Sequence, residues 1–385
     1  MKTTGDGRIT WFGLAGALLA GLLLAACAGI GSGAGTGGGA GVSPPPSTAG
    51  PKAFVLNRLG NTVSVIDTST NAVTATINVG TGPVEAVLLP TGTKLYVANF
   101  GSDNVTVINA ATNVVIATIV VGDQPVAIRA LPNSSRVYVA NQGSDTVSVI
   151  DTASDTVIAT VPVGDVPHAL AVLVDGSRVY VVNTLDDTVS VIATSTNSVT
   201  STLPVGLGPI DLAATPGGTK VYVANNITND VTVINTSNDT IAATVPLPGA
   251  TAPFAVRVTP DGTRAYVLNT TSANVSVIDT AGDTVQATIN LLSRPVSLAF
   301  TPNSATAFVV LPDSDTVSTI DVGTSSFQVN IVVGDEPNFI ALTTAAVRGF
   351  VTNGASDNVS VIDPSAATVV ATVAVGDEPV FVILP

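Results

Sequence analysis

A single histidine, a single cysteine and a sparse set of charges limit the chemistry open to this chain. His168 follows Pro167, with Asp165 close by. A carboxylate beside an imidazole could work as an acid–base pair. The same residues also suit a turn, with the Asp capping it and the His partly exposed. One His leaves almost no room for a histidine-rich metal site, and one Cys excludes a disulfide framework or a multi-Cys zinc site. No nucleophile elbow, H-E-x-x-H or P-loop occurs. Gly33, Gly35 and Gly38 fit G-x-G-x-x-G, but no strand signal precedes them and no helix signal follows, so they make no dinucleotide site. Two acids and two arginines, Glu85, Arg129, Asp211 and Arg257, stand in otherwise small or apolar segments. Four aspartates recur in Gly-Asp turns: Asp123, Asp165, Asp335 and Asp377. No loop has the dense oxygen-ligand pattern of an EF-hand. No catalytic constellation emerges, and no cofactor is called for.

The solubilising residues are mostly Thr, Ser, Asn and Gly rather than charges. Of 385 residues, 10% are charged and 46% apolar, a profile of neither a disordered chain nor a coiled coil. Lys and Arg number 13 against 27 Asp and Glu, for a net charge of −14. A polyanion is repelled by such a surface, which excludes nucleic acid as a partner.

The N-terminus reads as an address. Lys2 and Arg8 precede an uncharged stretch from Ile9 to Ala26, rich in Leu, Ala and Gly, that ends Leu24-Ala25-Ala26-Cys27. A basic start, an apolar run and a small-residue end form a secretory signal. The ending resembles the lipobox of bacterial lipoproteins, which implies cleavage after residue 26 and lipid attachment to Cys27. An uncleaved membrane helix is the alternative, since 18 apolar residues are barely long enough to span. Ala28 after the Cys resembles outer-membrane sorting where the cell has two membranes. Residues 27–52 are Gly, Ala and Ser followed by Pro44-Pro45-Pro46, a tether with an r.m.s. span of roughly 25–30 Å if flexible.

Residues 53–385 are one unit repeated. An aromatic-Val-x-Asn tetrad ends at Asn57, Asn99, Asn141, Asn183, Asn225, Asn269 and Asn353, with Phe308-Val309-Val310-Leu311 as a degenerate copy. The spacing is 42 residues four times, then 44, then 84. Behind each tetrad come two alternating segments, a Gly-Asp-x-Pro type turn and a further apolar run. Every run is short, rich in Val, Ile and Thr, and bounded by Asn, Asp, Gly or Pro, which are strand signals. Four short strands repeated every ~42 residues predict a β-propeller.

Tyr138-Val139-Ala140-Asn141 followed by Val147-Ser148-Val149-Ile150-Asp151 resembles the YVTN-type β-propeller repeat of bacterial and archaeal surface and periplasmic proteins. The resemblance covers almost the whole chain after the tether and implies a scaffold without shared catalytic residues. The repeat opens in a second strand, at Phe54, and ends in a first strand, at Leu384. The count gives an all-β fold, a single propeller of eight four-stranded blades, its ring closed by residues 380–384 pairing beside residues 53–57. Seven blades, as in familiar members of the family, is the alternative.

That architecture places the candidate residues. The Gly-Asp turns and the loops after the tetrads share one face, the top, where only Arg58 and Arg294 oppose the acids. The opposite face holds Lys94, Arg136, Arg178, Lys220, Arg264 and Arg348 with turn aspartates and is closer to balanced. Counting from each leading Pro, Glu85 and Asp211 take the second place of an innermost strand, and Arg129 and Arg257 the fourth place of the next. Alternate strand residues share a side, so each acid should meet its Arg across a seam between blades. They form either structural ion pairs or a channel site for an anionic or carbonyl ligand.

Three functions fit. The first is a lipid-anchored extracytoplasmic scaffold in the bacterial cell envelope that catalyses nothing and binds a protein, peptide or polymer, touching the membrane only through its anchor. The others are a lyase- or lactonase-like propeller enzyme and a surface-layer-like structural protein. Enzymatic propellers mass charged residues at the axis, and this chain has few.

Overall fold

The computed structural model describes residues 51–385, and Cys27 with the expected signal and tether lies outside them. Thirty-two strands form eight four-stranded antiparallel sheets. Blade 3 is representative: an innermost strand Pro125–Ala130, a second Arg136–Asn141, a third Thr146–Asp151 and an outermost Thr156–Pro162. The second strand is buried over nearly its whole length, whereas the outermost alternates. This follows from packing each sheet between two neighbours, which leaves solvent only at its outer rim. Apolar clusters fill the seams between blades; one joins blades 2 and 3, another blades 4 and 5.

Blade 1 is split between the chain's two ends. Its second strand, Lys52–Asn57, pairs antiparallel with Pro379–Ile383, placing Val55 opposite Val382. The ring therefore closes as expected and the blade count is eight. Closure covers an edge that would otherwise offer unpaired backbone groups to other chains.

The turns repeat as closely as the strands. After each second strand, the last loop residue is left-handed: Asn61, Asp103, Asp145, Asp187, Asn229, Ala273, Asp315 and Asp357. Seven are Asn or Asp, the non-glycine residues that tolerate this region best. Each of those seven side chains accepts a backbone N–H from the loop leading into the next innermost strand, as Asp145 does from Val166 at 2.9 Å. In every blade the outermost strand carries one extra residue against the third, as at Ile158 between the Ile150–Val157 and Val149–Ala159 pairs. Such bulges increase the local twist.

The tetrad Asn is fully buried in all seven copies. Asn141 donates to Ser148 at 2.9 Å and to Thr146 at 3.1 Å, locking the second strand to the third. Its side chain fills the space beside Gly122, where an added Cβ would lie 2.8 Å from it. Blade 7 has lost both partners together. Leu311 stands for the Asn and Leu292 for the Gly.

Candidate functional site

At the axis the structure brings each acid to its arginine. Glu85 Oε1 lies 3.0 Å from Arg129 Nη1, and Asp211 Oδ2 lies 2.5 Å from Arg257 Nη1. The acids do a second job. Glu85 Oε2 accepts the Ile128 N–H and Asp211 Oδ2 the Val256 N–H, both at 2.9 Å and both from the neighbouring blade. The arginines donate to the carbonyls of the same residues, Ile128 and Val256. An innermost strand has no partner on its axial edge, so its backbone groups there need others. Each acid–Arg pair supplies them. Ala127 and Ala255, at the second place of the neighbouring innermost strands, are buried beside them.

Both pairs are enclosed. Asp211 is fully buried and Glu85 is 3% exposed. Burial pushes the Glu85 carboxyl well above the usual range and the Arg129 guanidinium down, and both also feel the charges of Asp211 and Arg257. Arg129 Nη2 and Asp211 Oδ1 make no hydrogen bond, Glu85 Oε1 has only its ion pair with Arg129, and all three are shielded from solvent. A ligand would have to displace side chains to reach them. In blades 8 and 1 the corresponding positions carry Phe339 and Phe381, whose rings pack at 4.4 Å.

His168 is buried, contrary to the partly exposed position expected. Its Nδ1 donates to the Ile210 carbonyl across the seam at 2.9 Å, so burial comes with a partner. Asp165 is exposed in its turn, and its backbone N–H bonds the Asp186 carboxylate at 2.9 Å. Among the described residues, no three of His, Cys, Asp and Glu gather as a metal would need.

The top face carries Asp123, Asp165, Asp335 and Asp377 at corresponding places, all exposed. Sequence reasoning missed the apolar residues among them. Leu59, Leu185, Leu207, Ile227 and Leu292 are 48–70% exposed in top loops. Their only signal was a large aliphatic residue in an otherwise polar turn. A cleft of about 580 Å³ opens over blades 7, 8 and 1. Both top-face arginines reach it: Arg58 forms a two-pronged pair with Glu378, and Arg294 Nε meets Asp313 at 2.7 Å.

The opposite face is latched. In blades 2 to 5 a basic residue and a Tyr two places on reach a turn of the next blade. Lys94 Nζ lies 2.7 Å from Asp155 Oδ2, and the Tyr96 hydroxyl donates to Asp155 Oδ1 at 2.5 Å. Tyr138 repeats this with Asn197, Tyr180 with Asp239 and Tyr222 with Asp283. Burial first, then the carboxylate bond, holds Tyr96, Tyr180 and Tyr222 far above their ordinary pKa. The charge balance expected here is thus largely one of specific pairs. The latch stops at blade 6, where Ser325 replaces the acid and the Tyr266 hydroxyl makes no hydrogen bond. Blades 7 and 8 have Phe308 and Phe350 in place of Tyr.

Eight four-stranded blades closed by the C-terminal strand define a repeat β-propeller. The profile of the YNCE-like beta-propeller family matches residues 12–133, 117–217 and 166–280, together more than half of the chain, and the chain belongs to that family. No curated protein sequence matches it. Among solved structures, it resembles Kuenenia stuttgartiensis hydrazine synthase at 21% identity, with a TM-score of 0.62 over 74% of this chain and 96% of that one. Dihydro-heme d1 dehydrogenase NirN, in complex with DHE, matches at 15% identity and TM-score 0.74 over 89% and 77%. Apo AztD from Citrobacter koseri matches at 15% identity and TM-score 0.69 over 87% and 97%. These likenesses concern the fold alone.

Proposed function

We propose that this protein is a membrane-anchored, extracytoplasmic binding scaffold without catalytic activity, and that its top face docks a basic partner in the cell envelope. The partner is a protein, peptide or polymer. One observation carries the reading. The top face exposes Asp123, Asp165, Asp335 and Asp377 beside exposed Leu185, Leu207 and Ile227, whereas the charged side chains near the axis are turned onto backbone groups. Acidic groups around apolar contacts suit a basic, partly apolar surface. The lipobox-like ending at Cys27 supports the anchor. The described chain enters blade 1 at Pro51, whose carbonyl accepts the Thr68 N–H in a turn of the opposite face. The chain thus joins the ring on the face opposite the acidic one.

Affinity capture from envelope extract tests this. A partner should be retained at low salt and released toward physiological salt, where the screening length is ~8 Å. Changing Asp123, Asp165, Asp335 and Asp377 together to Asn should release it as well. Capture indifferent to both manipulations rules the face out. Cys27→Ser should shift the protein out of the membrane fraction, because stable anchoring needs the acyl chains.

A further inference from the structure

We infer that the cleft over blades 7, 8 and 1 is the binding subsite of this face, and that it takes a basic side chain flanked by apolar residues from a partner polypeptide. The inference rests on the top face being the docking face. The cleft's volume of about 580 Å³ is in the range of ligand sites. Its apolar lining is Leu59, Val296 and Pro312, and Leu59 is 70% exposed. Its polar lining is uneven. Arg58 is paired with Glu378, and Arg294 with Asp313, so each guanidinium charge is offset by an adjacent carboxylate. Asp357 accepts the Glu378 N–H at 2.8 Å. Among the described residues, the carboxylates of Glu336 and Asp377 have no hydrogen-bond or ion-pair partner, and both are exposed at the cleft. Two free acids above an apolar floor match a Lys or Arg side chain with aliphatic neighbours.

Two features mark this arc. Asn338 lines the cleft at a place where most blades put an apolar residue, such as Val84, Val126 or Val380. Blades 7, 8 and 1 beneath it carry Phe where a latching Tyr would stand, and blade 6 beside them has a Tyr that makes no hydrogen bond. Blade 7, like blade 6, lacks the Asn–Gly contact, and the Asn71 side-chain amide oxygen in blade 1, where a latch from blade 8 would end, makes no hydrogen bond. The seams under the cleft are therefore held by apolar packing with few polar locks, and they can adjust to an occupant at lower cost than the latched arc.

Titration calorimetry of the full-length protein with an acetylated, amidated Leu-Lys-Leu-Lys peptide tests the subsite. Leu-Glu-Leu-Glu serves as the control of opposite charge. Glu336→Gln combined with Asp377→Asn should weaken the lysine peptide about tenfold. Asp123→Asn combined with Asp165→Asn, which removes the same charge elsewhere on the top face, should change it less than about twofold. Equal weakening by both pairs overturns the subsite and leaves a diffuse acidic face, with the proposed function intact. No binding of the lysine peptide, or equal binding of the glutamate peptide, overturns the subsite as well. Failure of the proposed function is read separately, by envelope capture that ignores salt and all four Asp changes.

Discussion

Single residues in this ring are constrained by what stands next to them in space, and the glycines show it. An alanine at Gly122 would place its Cβ 2.8 Å from the Asn141 side chain and the Ser144 hydroxyl. Gly217 has nothing within 4 Å and needs no left-handed backbone. Gly122→Ala should therefore cost about 1–3 kcal/mol, while Gly217→Ala should be neutral or stabilise by up to about 1 kcal/mol. Denaturant midpoints distinguish them, and similar values for both would discredit the Asn–Gly contact. The axial charges obey the same logic in stronger form. Asp211→Ala strands a buried guanidinium and the Val256 N–H, and should cost about 3–5 kcal/mol. Asp211→Leu with Arg257→Met removes both charges. It should recover much of that loss, leaving on the order of 1–3 kcal/mol for the unpaired backbone group. A double variant no more stable than the single one would mean the pair does more than cap a strand edge.

Between elements, the decisive contacts are the latches across seams. Tyr222 donates to a carboxylate, whereas Tyr266, the same residue at the same repeat position, has no carboxylate to donate to. Tyr222→Phe should cost about 1.5–3 kcal/mol, and Tyr266→Phe about nothing or a small gain. Equal costs would show that the ring face rather than the hydroxyl holds the seam. The latches also set an alkaline limit. The folded protein keeps Tyr96, Tyr180 and Tyr222 protonated far above the ordinary value of 10.0, and the unfolded chain does not. Their contribution is complete below about pH 10 and declines as pH rises beyond it, because only the unfolded state then releases protons. Urea midpoints of the triple Tyr→Phe variant should fall less steeply above pH 10 than those of the parent. Parallel slopes would remove the tyrosines from the account.

The molecule as a whole depends on its last strand. Deleting residues 379–385 removes the innermost strand of blade 1, exposes the edge of Lys52–Asn57 and uncovers Phe54 and Leu56, now buried. An open edge beside apolar surface invites association. The truncated protein should elute as aggregates rather than as monomer in size-exclusion chromatography; a well-behaved monomer would show that closure is dispensable. The uneven distribution of latches has a global consequence too. Amide hydrogen exchange in the second strands of blades 7 and 8 should be faster than in blades 3 to 5, since local opening follows local contacts.

The amino-acid sequence by itself determined the repeat, the split first blade and the face on which each turn lies, and it favoured eight blades over seven, because a 42-residue period of strand and turn signals leaves few ways to bury apolar runs on both sides. It also placed Glu85 against Arg129 and Asp211 against Arg257, since strand alternation and ring order are local rules. Other features belong to the tertiary structure alone. Tyr96 and Asp155 are 59 residues apart, and only the tilt and stagger of neighbouring blades bring them together. The burial of His168 and its bond to the Ile210 carbonyl depend on how closely two innermost strands approach. The cleft, with Arg58 and Arg294 drawn to one place, exists because three loops from distant parts of the chain converge where the ring closes, and no periodicity in one dimension encodes that convergence.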